Sequence, residues 1–433
     1  MLPAPGAYNT HTCIDKKLHR QKRKVVSQAF SEGAIRAFEP AMVKNINVFI
    51  DELVQHCKER SGEDGWSQPL NMSTVTQYLA MDVMGEFSFG RNFEMQTKQT
   101  NRFLVDAIKA SSRVAGVYAQ YPRLKDIGVE RWLKKGNWTR AKFGMLMKAM
   151  VEKRISQGAG ASHDLFSFII NSQDPETGQK FTLDEIWAES RLFIIAGMLT
   201  VIGPTLWIII TDSTRVGYNS YLHVCNFLYL SRNPECREKL TKAIRETFAS
   251  ASEICTGPRL YSCHYLRACI DEAMRMSPPI GTALWREVCD SGIIIDGEWI
   301  PPRVDVGSSL YSIHHNEDYF DDPWTYNPDR WMETGTPYAP RHIQQLAFNP
   351  FSLGSRKCVA QTMSYTEISI TLAKALWYFD LRIPTGPLSK IGAGIEGASK
   401  GRHRPHEFQL WEHFTSHHDG PFLELRPGTK LVG

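Results

Sequence analysis

The chain has 433 residues, 42% hydrophobic and 22% charged, and 50 Lys and Arg against 46 Asp and Glu leave a net charge of +4. That is the balance of a globular protein with a large core, and the charge is too small to imply a nucleic-acid partner. Nine cysteines without a Cys-x-x-Cys pair, and no secretory signal, argue against a disulfide scaffold or zinc module and fit a reducing compartment.

The first residues, Met1-Leu2-Pro3-Ala4-Pro5-Gly6, carry no apolar anchor. The stretch from Asp15 to Phe30 reads as a basic helix, with Lys16, Arg20 and Arg23 on one side. A solvated face is the ordinary fate of such a run. From about residue 33 to 190 the pattern is helix-rich, broken at Gly, Pro and Asn. Thr182 and Glu185 have the spacing of a capping box at the head of a long central helix. An uncharged run from Leu192 to Ile210 is long enough to span a bilayer. It contains Gly197, Gly203 and Pro204 and is flanked by Arg191 and Asp212, and the residues alone leave a membrane span and a buried core both open.

A helix is predicted from about Tyr265 to Met276, stopped by Pro278-Pro279. It sets Glu272 and Arg275 three residues apart, which alone would be a surface pair worth a few tenths of a kcal/mol, roughly. Between residues 288 and 311 the period changes, and Asp296-Gly297 marks a hairpin turn. Asn327-Pro328-Asp329-Arg330-Trp331 follows. Then comes Phe351-Ser352-Leu353-Gly354-Ser355-Arg356-Lys357-Cys358-Val359-Ala360. Gly354 is expected to relieve a bend where a Cβ would obstruct. Cys358 is expected at the N-terminus of a helix over 359–379, whose dipole and free N–H groups favour thiolate. One thiolate in such a loop is what a haem iron needs, and Arg356 can reach a propionate. The alternative is an ordinary buried cysteine.

Three other matches are set aside. Gly392-Ala393-Gly394-Ile395-Glu396-Gly397 has the dinucleotide fingerprint but follows a loop and opens no helix. Asn71 and Asn137 begin glycosylation sequons without a secretory signal. His403, His406, His417 and His418 lie in polar loops without a third metal ligand.

The Glu272/Arg275 helix, the Asn-Pro-Asp-Arg330-Trp segment and the Cys358 loop, in that order, resemble the cytochrome P-450 superfamily of haem-thiolate monooxygenases. Segments such as Asn316–Tyr319 and Gly401–Arg404 are similar to filamentous-fungal members of secondary metabolism or detoxification. The resemblance implies one mainly α domain over 1–433 with small β-sheets. The haem would lie between the central helix and the helix after the cysteine loop. It implies haem b, electrons from an NADPH-dependent reductase, O2 and an apolar organic substrate. Carried over, Cys358 is the axial ligand and Phe351 shields its sulfur. Arg356, Arg23 and His19 hold propionates, His19 standing where Trp is commoner. Glu272, Arg275 and Arg330 form a buried network. The remaining lysines of the basic helix would face the reductase. Relatives carry a membrane anchor and sit on the cytosolic face of the endoplasmic reticulum. This chain is expected to lack the anchor and the first elements, which leaves a cytoplasmic location open.

The family's proton-delivery motif is Ala/Gly-Gly-x-Asp/Glu-Thr. Here Ala196-Gly197-Met198-Leu199-Thr200 has Leu199 in the acid's place, while Asp212-Ser213 supplies an acid and an alcohol further on. The distance to Ser231–Glu235 exceeds the family's, so 198–226 is expected to be an insertion. Thr200, Asp212 and Ser213 are the catalytic candidates. Three readings stand side by side: an altered proton path, untranslated sequence carried into the chain, or alcohols that merely pack. Two rival functions follow: a haem protein impaired in oxygen activation, and a haem-free, membrane-associated helical protein.

Overall fold

The computed structural model describes residues 8–10, 13–109, 117, 121, 124, 137–157, 164–171, 173, 178, 180–198, 218–332, 339–412 and 416–428. Helices dominate. α1 (Lys16–Ala29) starts where the Asp15 carboxylate accepts the Leu18 N–H at 2.7 Å, an N-cap that satisfies one orphan donor. α2 (Glu32–Arg60) begins at Ser31 in the same way. α3 (Met72–Phe89) stops at Gly90, which takes φ 61 where a side chain would be strained. α4 (Asn137–Gln157) and α5 (Leu165–Asn171) follow. α6 (Leu183–Met198) opens on the expected capping box. Thr182 N–H donates to Glu185 Oε2 at 2.9 Å, and Glu185 N–H returns to Thr182 Oγ1 at 3.3 Å.

α7 (Tyr218–Arg232) is the core helix, with every residue from Tyr221 to Leu230 buried. A helix buried all round must be covered on every side. Here α3, α10 (His264–Met276) and α13 (Gln361–Tyr378) cover it. α8 (Pro234–Thr247) and α2 complete the packing against α13. α9 (Pro258–Ser262), α11 (Leu310–His314) and α12 (Ala339–Ala347) are shorter. A single cluster of buried apolar side chains runs from Val26 to Leu425. Of the segment 198–226, residues 199–217 lie outside the described residues, and 218–226 begin α7.

The sheets are small. β1 (Leu70–Asn71), β9 (Phe422–Pro427) and β6 (Phe379–Arg382) form an antiparallel sheet in the order β1-β9-β6. β2 (Arg286–Glu287) pairs with β5 (Asp305–Val306), and β7 (Trp411–Glu412) with β8 (Ser416–His417). β3 (Ile293–Ile295) and β4 (Glu298–Ile300) form the expected hairpin. Its turn residues Asp296 and Gly297 have φ 52 and 83, the pair of positive angles a two-residue I′ turn requires. Among the described residues no helix is long and apolar enough to cross a membrane. Gly392 to Gly397 is turn and loop with no helix after it, and His418 is buried against Ser73 Oγ at 2.6 Å.

Candidate active site at the cysteine loop

The segment from Asn349 to Ala360 folds back on itself before α13. Ser352 N–H reaches Asn349 O and Cys358 N–H reaches Phe351 O, both at 2.9 Å. Ser352 sits at φ 60, a left-handed conformation that a non-glycine residue adopts at a cost. Gly354 has φ 71, but a Cβ there would meet nothing within 4 Å. Its glycine is therefore needed for backbone conformation, and the expected obstruction is absent. Phe351 and Cys358 are both buried.

Cys358 lies three residues before α13, whose N-cap is Ala360. Burial pushes its thiol up to about 11, opposed by the Ala360 N–H and the charges of Arg23 and Lys357. The helix terminus was expected to favour thiolate; in the protein without haem, desolvation of the sulfur outweighs the N–H and the two nearby cations.

Three of the sequence-predicted residues meet beside the cysteine loop although α1 is far away in the chain. Arg23 Nη2 donates to Lys357 O at 2.7 Å. Arg356 Nη1 donates to Cys13 O at 3.0 Å. His19 is buried, and burial, then the charges of Arg356 and Arg23, push its pKa down to about 4. It is therefore a neutral hydrogen-bonding group at neutral pH. Burial, with Arg356 as its like-charged neighbour, lowers the Arg23 pKa, and Cys358 opposes the shift. No carboxylate among the described residues pairs with His19 or Arg23.

Lys22, on another side of α1, does not join the exposed basic face. It is buried and pairs with Glu185 of α6 at 2.7 Å, while Lys16, Lys17 and Lys24 stay exposed. A cavity of about 440 Å³ opens near the cysteine loop, its walls including Arg267, Asp271, Arg330, Lys357 and Tyr365.

Glu272, Arg275 and Arg330 form one network. Arg275 Nε and Nη2 each donate to Glu272 at 2.9 Å, and Arg330 Nε donates at 3.0 Å. Glu272 and Arg275 are 0% exposed, which excludes the surface-pair alternative. Burial raises the Glu272 pKa, but the Arg275 charge and hydrogen bonds, then Arg330 and the Asn327 N–H, leave it below its ordinary value. Sequence reasoning missed that Trp331 Nε1 also donates to Glu272, at 2.9 Å, and that Arg275 Nη1 ties down the carbonyls of His314 and Pro323. Trp331 lay in the quoted Asn-Pro-Asp-Arg-Trp segment. The carbonyl contacts had no sequence signal.

Also unforeseen were His223 of α7 facing Glu367 of α13 at 3.4 Å, both wholly buried, and Glu189 of α6 accepting from Thr10. Thr200, Asp212 and Ser213 lie outside the described residues, as does Leu199.

The family model for cytochrome P450 matches residues 11–211 and 224–394. The chain belongs to the cytochrome P450 family. It is 34% identical over 423 residues to the cytochrome P450 monooxygenase AKT7 of Alternaria alternata, covering 96% of this chain and 77% of that protein. It is 30% identical over 440 residues to the monooxygenase apf7 of Gibberella fujikuroi, covering 98% and 78%. With the monooxygenase lcsN of Purpureocillium lilacinum it shares 33% over 361 residues, 83% of this chain and 100% of that protein. This P450 is a haem-thiolate monooxygenase with haem b as its cofactor and NADPH as the electron source through a redox partner. Its other reactants are O2 and an organic substrate. The donor set fits the haem. A buried sulfur lies next to Arg23, and Arg23, Arg356 and His19 present donors for acidic groups.

Proposed function

We propose that this P450 oxygenates an apolar organic substrate in fungal secondary metabolism or detoxification, with Cys358 as the axial thiolate and Arg356, Arg23 and His19 holding the haem propionates. The observation that carries the site assignment is the convergence of α1 and the cysteine loop, through the Arg23 to Lys357 O bond at 2.7 Å and the mutual electrostatics of His19, Arg23 and Arg356. When bound, the thiolate-ligated haem supplies the O–O cleavage that sends one oxygen atom to substrate and the other to water.

The chain's own residues do the rest. Arg356 and Arg23 bind carboxylates by charge-assisted hydrogen bonds. Neutral His19 donates one more. Phe351 packs in the loop and keeps water from the sulfur. The Glu272, Arg275 and Arg330 network fixes α10 against the segment from Asn327 to Trp331. Thr200 and the Asp212-Ser213 pair are the candidates for moving protons. The exposed Lys16, Lys17 and Lys24 suit an acidic face on an NADPH-dependent reductase, and the family's usual seat is the cytosolic face of the endoplasmic reticulum.

The test of the propionate assignment is haem affinity by Soret titration of the apoprotein. Arg23→Ala and Arg356→Ala should each weaken it by roughly tenfold or more, the worth of a hydrogen bond to a charged group. Haem binding unchanged in both variants rules the assignment out.

One observation favours the impaired reading. Leu199 occupies the position of the proton-relaying acid and has no proton to give. An enzyme of that kind would bind haem normally and spend the two electrons of NADPH on reducing O2 to released hydrogen peroxide, with NADP+ as the other product.

A further inference from the structure

α10 carries two adjacent carboxylates, and they grip different elements. Glu272 holds the segment from Asn327 to Trp331. Asp271, its neighbour, reaches α13 instead: the Tyr365 hydroxyl donates to Asp271 Oδ1 at 2.7 Å. The other carboxylate oxygen, Oδ2, accepts from Arg267 Nε at 2.8 Å. The same guanidinium lies over the Tyr365 ring, 3.5 Å from its centroid. Arg267 is exposed, whereas Asp271 is buried.

The ring leads on to the cysteine loop. Tyr365 packs against Phe351 with centroids 5.3 Å apart and planes inclined by 47°, close to the offset, tilted contacts that aromatic pairs prefer. Phe351 is buried, and its carbonyl accepts the Cys358 N–H at 2.9 Å. Tyr365, Asp271, Phe351 and Lys357 all border the cavity of about 440 Å³, which has room for several waters. Phe351 therefore faces that space and at the same time fixes the backbone of Cys358.

We propose that Tyr365 is a positioning residue for Cys358: anchored by Asp271 and Arg267, its ring backs Phe351 and keeps the cysteine loop closed against the cavity. Phe351 serves the loop through its carbonyl and meets Tyr365 through its ring, so a displaced ring moves the carbonyl that holds Cys358. A tyrosine whose hydroxyl is committed to a buried carboxylate has a fixed orientation, and the guanidinium over its face holds it there. Groups behind a metal ligand set its position in this way.

The inference rests on Cys358 as the axial thiolate. An opened loop lets a proton reach the sulfur, and a neutral thiol is a poor substitute for thiolate on iron.

The experiment follows the haem-loaded protein well below its Tm by two rates. The first is the loss of the long-wavelength ferrous–CO band. The second is hydrogen exchange, by mass spectrometry, in the peptide that carries the Cys358 amide, which reports opening of the loop itself. Tyr365→Phe keeps the ring and removes only the bond to Asp271, and both rates should rise roughly threefold or more, the worth of one hydrogen bond. Tyr365→Leu removes the ring as well, and both should rise roughly tenfold or more. Leu372→Ala, buried further along α13, should lower Tm by leaving a void and keep both rates near those of the wild type. That control separates positioning from a general loosening of the helix. A wild-type value of either rate in either Tyr365 variant, or an equal rise in Leu372→Ala, overturns the proposal. If Tyr365→Leu does not fold, Tyr365→Phe decides alone.

A wild type without the long-wavelength band means that Cys358 is not the ligand, while the exchange rates still test the hold of Tyr365 on the loop. The two failures are thereby told apart.

Discussion

Glu272 accepts hydrogen bonds from Arg275, Arg330, Trp331 and the Asn327 N–H while fully buried. Removing it strands the Arg275 guanidinium in the core. Glu272→Ala should cost about 3–5 kcal/mol, the usual penalty for breaking a buried pair. Little soluble holoprotein should be recovered, with a lower Tm in what remains. Wild-type haem occupancy and Tm in the variant would mean the pair is dispensable. Because the folded Glu272 pKa lies below its ordinary 4.5, its stabilisation is present above that value and fades as pH falls through the folded one. The wild type should therefore lose Tm on the acid side, and Glu272→Gln should lose less of its own Tm there. His19 acts in the same sense, its contribution being lost as pH falls from about 6.5 toward about 4, because the unfolded imidazole takes up the proton first. Held neutral, with its pKa pushed down to about 4, it must charge in acid only when the fold opens. These directions were not legible in the sequence, because they depend on which groups meet across the chain.

At the scale of elements, local signals were readable and distant ones were not. The capping box at Thr182 and Glu185 and the Asp296-Gly297 turn are set by neighbours in sequence, and both form as expected. The end of α10 at Pro278-Pro279 is local too. In α1 the helical period placed the basic residues but could not separate Lys22 from Lys24, since Glu185 comes from another helix. The need for glycine at position 354 was legible, but its physical reason was not: the backbone angle is positive while the space is open.

The central helix carries the next prediction. In the chain as written, NADPH use should be weakly coupled to hydroxylation and release peroxide, because Leu199 supplies no proton and Asp212 is displaced from Ala196-Gly197. Deleting residues 199–211, which sets Asp212-Ser213 directly after Met198, should raise product formed per NADPH. The measurement is product and peroxide per NADPH with a compatible reductase and a substrate that shifts the haem spectrum. Tight coupling that survives both Asp212→Ala and Thr200→Ala would refute the two proposed proton paths.

On the scale of the whole molecule, the fold ties together segments that lie far apart in the chain. α10 and the segment from Asn327 to Trp331 are joined by Glu272. α1 is clamped to the cysteine loop by Arg23 and to α6 by Lys22. The buried helix α7, wrapped by α3, α10 and α13, sets the distances between them. Motif order made this class of fold legible, since the loop, the Glu/Arg pair and Arg330 each name a part of one site. The pairing of His223 with Glu367 and of Thr10 with Glu189 was not, because neither pair shares a motif. The central claim is that Cys358 is the thiolate on which the site is built. The visible spectrum of the reduced protein under carbon monoxide tests it most directly. The wild type should show the long-wavelength Soret band of thiolate-ligated haem, and Cys358→Ser should lose it, because a neutral hydroxyl replaces an anionic sulfur poorly. A wild type without that band, or a Cys358→Ser variant that keeps it, would contradict the account.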